Sequence, residues 1–312
     1  MKILITGSGG FVGGSIGRFA ARAGHEVLGL ARRSQRDADW PGRHVAVDVA
    51  QSDLVEVIRD FSPQVIFHGA GTASVGSSLS APLDDLRASA MTWANVLDST
   101  RRSGTRPLLV FPSSAAVYGN PAALPVAESS EIAPISPYGF HKMACELIGR
   151  EYATCYGLSI VICRIFSLFG PAQRRLLVWE LFEQLIGPEP TVWLQGNGDE
   201  SRDFLHIHDL SSAVMELVGT RTMQNQPDFT VVNVAAGREV NAVDLAKQLR
   251  DLVGVDKDIR CRGIARRGDP KRWAADINLL ARMAPNWQSA PLLDSLGQCV
   301  SDWRRAQKSV AR

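Results

Sequence analysis

Apolar residues along the first half of the chain fall in short, nearly unbroken runs, at residues 3–5, 27–30, 45–47, 65–67, 108–111 and 160–163, with longer helix-patterned stretches between them. Half-exposed strands would alternate polar and apolar side chains. Runs this uniform suit strands of a parallel sheet covered on both faces by helices. The pattern predicts a doubly wound α/β unit over residues 1–168. After Gly170 the rhythm changes. A helix over 176–186, a Gly- and Pro-bearing segment at 187–198 and short strands near Val192 and Phe204 predict a smaller α/β lobe, formed by 169–208 and 236–312. The helical pattern at 210–218 and the strand pattern at 230–234 suit a segment, 209–235, that returns to the first sheet.

Composition leaves that picture intact. A chain of 312 residues has room for one large unit and one small lobe, and 45% hydrophobic with 21% charged residues is the make-up of a globular protein. Thirty-four basic against thirty-two acidic residues leave a net charge of +2, too little for attraction to nucleic acid along the whole molecule. Any anion must be held by local groups. Arg260, Arg266, Arg267, Lys271 and Arg272 gather in the last third of the chain, as either a solvated face or an anion pocket. The five cysteines, at least eight positions apart, suggest neither a disulfide framework nor a zinc site, and no metal is expected. No apolar run approaches the ~18 residues of a membrane span and no leader precedes the first strand, so a cytoplasmic protein without membrane contact is expected.

Candidate chemistry begins just after the first strand, at Thr6, Gly7, Ser8, Gly9, Gly10, Phe11, Val12 and Gly13. Gly7 permits a tight turn, Gly10 lets the backbone approach a pyrophosphate and Gly13 lets a helix pack closely on the strand. The first helical turn, at Phe11 and Val12, offers free N–H groups and the positive end of the dipole. The second strand ends at Leu30, Ala31, Arg32, Arg33, with no carboxylate for the ribose hydroxyls of NAD. Arg32 and Arg33 suit the 2′-phosphate of NADP, or are a solvated loop. NADP(H) is therefore favoured, with NAD possible. Asp48 is placed to accept from an adenine amino group or is an ordinary loop aspartate; Val49 and Ala70 complete the candidate cofactor edge.

The fifth strand ends at Ser113, Ser114, Ala115, Ala116, and a helix begins near Pro137, Tyr138, Gly139, Phe140, His141, Lys142. Tyrosine and lysine four apart share one helix face, so an ammonium stands beside a phenol. A phenol ordinarily ionises near pKa ~10, and a neighbouring cation favours the phenolate. Tyr138 then gives or takes the proton of a substrate hydroxyl, and Ser114 hydrogen-bonds the same oxygen.

The glycine turn, SSAAVYG, YGFHK, Arg164 followed by FGP, and SRDFLHIHD together resemble the extended short-chain dehydrogenase/reductase family that modifies nucleotide sugars, over nearly the whole chain. The resemblance implies a Rossmann unit with a substrate lobe, Ser114, Tyr138 and Lys142 as catalytic residues, and a nucleotide-diphosphate sugar as partner. It places Arg202 and Arg266 on the diphosphate and implies a homodimer formed through two helices of the first unit. Ser167 stands where an asparagine contacting the diphosphate is common. Dehydratases of the family carry an Asp-Glu pair, and decarboxylases a glutamate, where this chain has Ala115 and Ala116. That leaves reduction at C4 of an NDP-4-keto-hexose with NADPH as the expected reaction, or else 4-epimerisation with tightly bound NAD. A non-catalytic dinucleotide sensor would usually have lost one of Ser114, Tyr138 and Lys142.

Overall fold

The computed structural model describes residues 1–32, 40–221, 228–264 and 268–310. The first unit contains β1 (Lys2–Thr6), α1 (Phe11–Arg22), β2 (Glu26–Ala31), β3 (Arg43–Ala46), α2 (Val55–Phe61), β4 (Val65–His68), α3 (Val75–Ser80) and α4 (Pro82–Leu86). A π-helical turn, Arg87–Met91, leads into α5 (Thr92–Ser103); β5 (Leu108–Ser114), α6 (Pro137–Tyr156) and β6 (Ser159–Ile165) follow. The rest of the chain forms β7 (Ser167–Phe169), α7 (Leu177–Ile186), β8 (Thr191–Leu194), β9 (Ser201–Arg202), β10 (Phe204–His206), α8 (Ile207–Arg221), β11 (Phe229–Val234), β12 (Val240–Asn241), α9 (Ala242–Val253), β13 (Asp258–Cys261), α10 (Asn278–Met283) and α11 (Leu292–Val310).

Among the described residues, seven strands form one sheet in the order β11-β6-β5-β4-β1-β2-β3, every neighbouring pair parallel. Apolar groups on both faces of the strands meet two cores, one against α1 and α8 (Ile5, Ile16, Leu210, Val214) and one against α2, α5 and α6 (Leu4, Ile58, Trp93, Cys145). This is the doubly wound arrangement the apolar runs predict. β3 is the exception in pattern: as the edge strand it is only partly buried and begins at Arg43, ahead of the run at 45–47. The chain runs outward from β1 to β2 and β3, then crosses to β4 on the other side of β1. The sheet's topological switch therefore lies between β1 and β4, where such sheets bind ligands beyond their strand ends.

Beyond β6, residues 229–234 lie against residues 160–165 as the outermost strand. α7, α9 and α11 pack around Phe182, Leu185, Leu245, Leu249 and Trp303, and β8, paired parallel with β13, adds Val192 and Leu194 to the same core. No helix among the described residues is long and apolar enough to cross a membrane, and none of their His, Cys, Asp and Glu side chains form a group able to hold a metal.

Candidate active site

Thr6 is in register with Leu30 on one side and His68 on the other, so the glycine turn opens at the switch point. Gly7 has φ +67°, and a Cβ there would meet the Gly69 carbonyl carbon and Ala70 N at 2.5 Å. A Cβ on Gly13 would meet Gly7 O at 2.5 Å. Both glycines are therefore set by close backbone approach, and a side chain at either would drive apart the backbone segments that form the turn. Gly10 caps α1 without a side-chain bond, and Phe11 and Val12 form a first turn with no acidic residue, leaving its N–H groups for an anion. Ala70 N–H donates to Thr6 Oγ1 at 3.3 Å, tying the β4 loop to the turn.

At the other cofactor positions the structure is uneven. Arg32 is exposed just beyond β2, whereas Arg33 lies outside the described residues. Asp48 Oδ1 accepts from Ala50 N–H at 3.0 Å, so half of that carboxylate serves its own turn. Val49 packs its side chain into the core, 4% exposed, and its carbonyl accepts from Asn95 Nδ2 at 2.7 Å. Only its backbone is left to border a ligand.

β5 and α6 bring the catalytic candidates to the same edge. Ser114 caps a short 3₁₀ turn, Ala115–Tyr118, and its Oγ accepts from Ala116 N–H at 3.2 Å. α6 packs its first turn on that 3₁₀ turn through Gly139, where a Cβ would stand 2.6 Å from Ala116 O. Ser136 caps α6 by accepting from Gly139 N–H, and Pro137 occupies the position whose N–H would have no partner. Tyr138 is half-buried. Lys142, 7% exposed, donates from Nζ to Pro112 O at 2.8 Å, and its charge lies 4.8 Å from the Phe111 ring centroid and 5.7 Å from that of Tyr138. Ala115 and Ala116 are buried and apolar.

Beneath this edge runs a buried polar chain that sequence reasoning missed. Arg164 Nε and Nη2 donate to Glu146 at 3.0 and 2.7 Å, Arg164 Nη1 donates to Tyr118 Oη at 2.9 Å, and Tyr118 Oη donates to Asn233 Oδ1 at 2.7 Å. Ser113 Oγ, beside Ser114, donates to Glu146 at 2.5 Å. Burial disfavours the Arg164 charge, yet Glu146 and Tyr118 together hold it above the ordinary guanidinium value. Burial raises the Tyr118 phenol, against the pull of Arg164. The only sequence signal was an arginine inside an otherwise apolar strand, opposite a glutamate one turn beyond Lys142.

His68, at the end of β4, was also overlooked. It is 1% exposed between Trp93 and Phe111, shares a 2.9 Å hydrogen bond with Thr6 Oγ1, and its Nε2 has no hydrogen-bond partner among the described residues. Burial, aided by the charge of Lys142, lowers its pKa from 6.5 to about 3. The folded protein therefore keeps this ring neutral where the unfolded chain would protonate it. Stability is full above pH ~6.5 and falls as pH drops toward ~3, by about 1.4 kcal/mol per unit from this group. Denaturant titrations between those limits should show a stability slope shallower by about that amount in His68→Asn than in the wild type. Equal slopes would reject the neutral ring.

Arg202 in β9 and Ser167 at the start of β7 lie outside the large sheet. Arg202 donates from Nη1 to Ser201 O and Lys271 O at 2.8 and 3.1 Å and lies 5.5 Å from the Trp273 ring centroid. Burial lowers its pKa, and Asp269 and Glu200 oppose the shift. Next to it, Asp203 accepts from the N–H groups of Ala236, Arg238 and Ala275, pinning two loops to β9 and β10; burial still raises its carboxyl to about 6. Ser167 N–H donates to Asp203 O at 3.0 Å, and the residue is half-buried. Arg266 lies outside the described residues.

The model of the NAD dependent epimerase/dehydratase family matches residues 3–235. A UDP-glucose 4-epimerase of Mycolicibacterium smegmatis is 27% identical over 316 residues, covering 97% of this chain and 99% of its own. UDP-glucuronic acid decarboxylase 1 of Xenopus tropicalis is 28% identical over 318 residues, covering 97% of this chain and 72% of its own. Among solved structures, MoeE5 in complex with UDP-glucuronic acid and NAD superimposes with a TM-score of 0.88 at 25% identity, over 98% of this chain and 100% of that one. A UDP-glucose 4-epimerase with UDP-glucose from Thermotoga maritima does so with a TM-score of 0.86, at the same identity and coverage. The matched span runs from β1 through the glycine turn, Ser114, Tyr138, Lys142 and Arg202 to the end of β11, well over half of the chain, and the protein is a member of the NAD dependent epimerase/dehydratase family.

Proposed function

We propose that the protein is an NAD-dependent 4-epimerase of UDP-sugars. The observation that carries this reading is the edge formed by Ser114, Tyr138 and Lys142, which offers one acid–base pair, with buried alanines rather than carboxylates for elimination or decarboxylation at the two positions after Ser114. A UDP-glucose 4-epimerase matching along nearly its whole length, and a neighbour described with NAD, favour epimerisation over the NADPH-dependent reduction expected first. Arg32, next to Ala31, keeps the reductase as the second reading.

The turn at Gly7, Gly10 and Gly13, whose close backbone approaches admit no side chain at Gly7 or Gly13, fits a pyrophosphate at the start of α1. Bound there, NAD supplies reversible hydride exchange with C4 of the sugar. Tyr138 takes the proton of the C4 hydroxyl and returns it to the same oxygen once the sugar presents the opposite face of C4 to the dinucleotide. Ser114 hydrogen-bonds that oxygen and orients it. Lys142, anchored on Pro112 O, keeps positive charge beside the phenol in both directions. Arg202 holds the diphosphate from the smaller lobe, with Ser167 and Arg266 as further candidates. A homodimer suits the first unit, where Met91, Phe140 and Leu147 are each more than half exposed.

Denaturing the purified protein and identifying the released dinucleotide tests the cofactor, and a panel of UDP-hexoses, UDP-N-acetylhexosamines and UDP-hexuronates offered without added cofactor tests the reaction. Released NAD and interconversion of one C4 pair are expected. Turnover that consumes NADPH with a 4-keto sugar nucleotide, and none without it, would replace this reading with the reductase.

A further inference from the structure

The segment between β4 and α5 holds polar groups that the reaction just described does not use. Asp85, in α4, is 3% exposed, and each of its carboxylate oxygens is taken. Oδ1 accepts from Thr72 Oγ1 at 2.5 Å and Oδ2 pairs with His141 Nδ1 at 2.6 Å. An ionised carboxylate can only accept, so Nδ1 carries a proton. Thr72 spends its one hydroxyl proton on Asp85, which makes Ser89 Oγ the donor in its 3.1 Å contact with Thr72 Oγ1. Ser89 lies in the π-helical turn, a widened geometry that recurs at functional sites, and Thr92 Oγ1 donates to the Arg87 carbonyl within it. A second contact reaches the same helix: Tyr138 N–H donates to Ser78 Oγ at 3.0 Å, and Ser78 is fully buried in α3.

The two ends of this network are telling. Thr72 stands two residues beyond Ala70 on the cofactor edge, and His141 stands between Tyr138 and Lys142 on the helix that carries the proton chemistry. We infer that Asp85, acting through His141, is a positioning residue that sets the Tyr138–Lys142 turn against the dinucleotide edge; the inference rests on the reading that these two residues perform the acid–base step. A buried carboxylate is a costly way to join two elements that apolar side chains could join. What it adds is direction, since short charge-assisted bonds fix both the distance and the angle between their ends. Ser78 holds the Tyr138 backbone and Asp85 holds the next turn, so the phenol and the ammonium are located from the β4 side as well as from β5.

Asp85→Asn, His141→Leu and His141→Asn test this in the holoprotein. Asparagine at 141 keeps a donor where Nδ1 stands, and leucine does not. Asp85→Asn and His141→Leu should each lower kcat about 10- to 100-fold, with KM for the sugar nucleotide within about 2-fold and bound dinucleotide retained. His141→Asn should recover most of the rate. Wild-type kcat in His141→Leu with dinucleotide retained overturns the inference, and so does an equal loss in His141→Leu and His141→Asn. If Asp85→Asn does not fold, the pair at 141 decides alone. Tyr138→Phe, assayed beside them, separates the two levels: full activity there removes the catalytic reading and this inference with it, whereas an inactive Tyr138→Phe with an unimpaired His141→Leu removes the positioning role only.

Discussion

Tyr138→Phe is expected to lower turnover by about 10²- to 10⁴-fold while leaving the fold and the bound dinucleotide in place. The substitution removes a single oxygen. The ring keeps its packing on the 3₁₀ turn after β5, and the backbone N–H of residue 138 keeps its bond to Ser78. Lys142 keeps its bond to Pro112 O and its place beside Phe111. What disappears is the group that accepts and returns the proton at the reacting oxygen. Ser114 does not replace it, because its Oγ already accepts from Ala116 N–H and has the weak basicity of an alcohol. The measurement is interconversion of the C4 pair together with the amount of dinucleotide released on denaturation. Wild-type turnover in the variant would remove Tyr138 from the mechanism.

Arg164→Met should destabilise the protein by about 3–5 kcal/mol, the cost of leaving a buried charge without its partner. Arg164 and Glu146 are 3% and 6% exposed, and the arginine answers the glutamate through two of its nitrogens. Methionine fills much of the volume but gives Glu146 nothing to pair with, leaving Ser113 Oγ as its remaining donor among the contacts described. Arg164→Met/Glu146→Leu should recover most of the loss, because an apolar pair of similar volume avoids desolvating either charge. Chemical denaturation of the three proteins measures both values. A double variant no more stable than Arg164→Met would show that packing, not the stranded charge, sets the cost. Because Ser113 precedes Ser114, the single variant should also lose activity before it loses its fold.

Much of the sheet was legible because parallel strands buried on both faces must be apolar throughout, and the runs at 3–5, 65–67 and 160–163 lie inside β1, β4 and β6. β3 was harder to bound, since an edge strand is under weaker demand. The helices α9 and α11 left no such mark: their apolar faces meet α7 and one another, whereas α10 sends Leu280 into the core of the large sheet, and each alone reads as an ordinary amphipathic stretch. The glycines could be read because backbone approach admits no side chain at Gly7 or Gly13. Asp48 and Val49 were harder, since strand-end position does not say which way a side chain turns. Asp48 partly serves its own loop and Val49 faces the core.

By itself the sequence determined the doubly wound sheet, the glycine turn at the end of β1 and the pairing of Tyr138 with Lys142, because each depends on local spacing or on a residue type that has no substitute. The tertiary structure alone decided what surrounds them. Asp85 meets His141 across 56 positions, Thr6 meets His68 across 62 and Tyr118 meets Asn233 across 115. Local propensity carries no information about contacts at such separations. They exist only once the crossovers of a parallel sheet bring the ends of β4, β5, β6 and β11 to one edge, where leaving a buried polar group without a partner is costly.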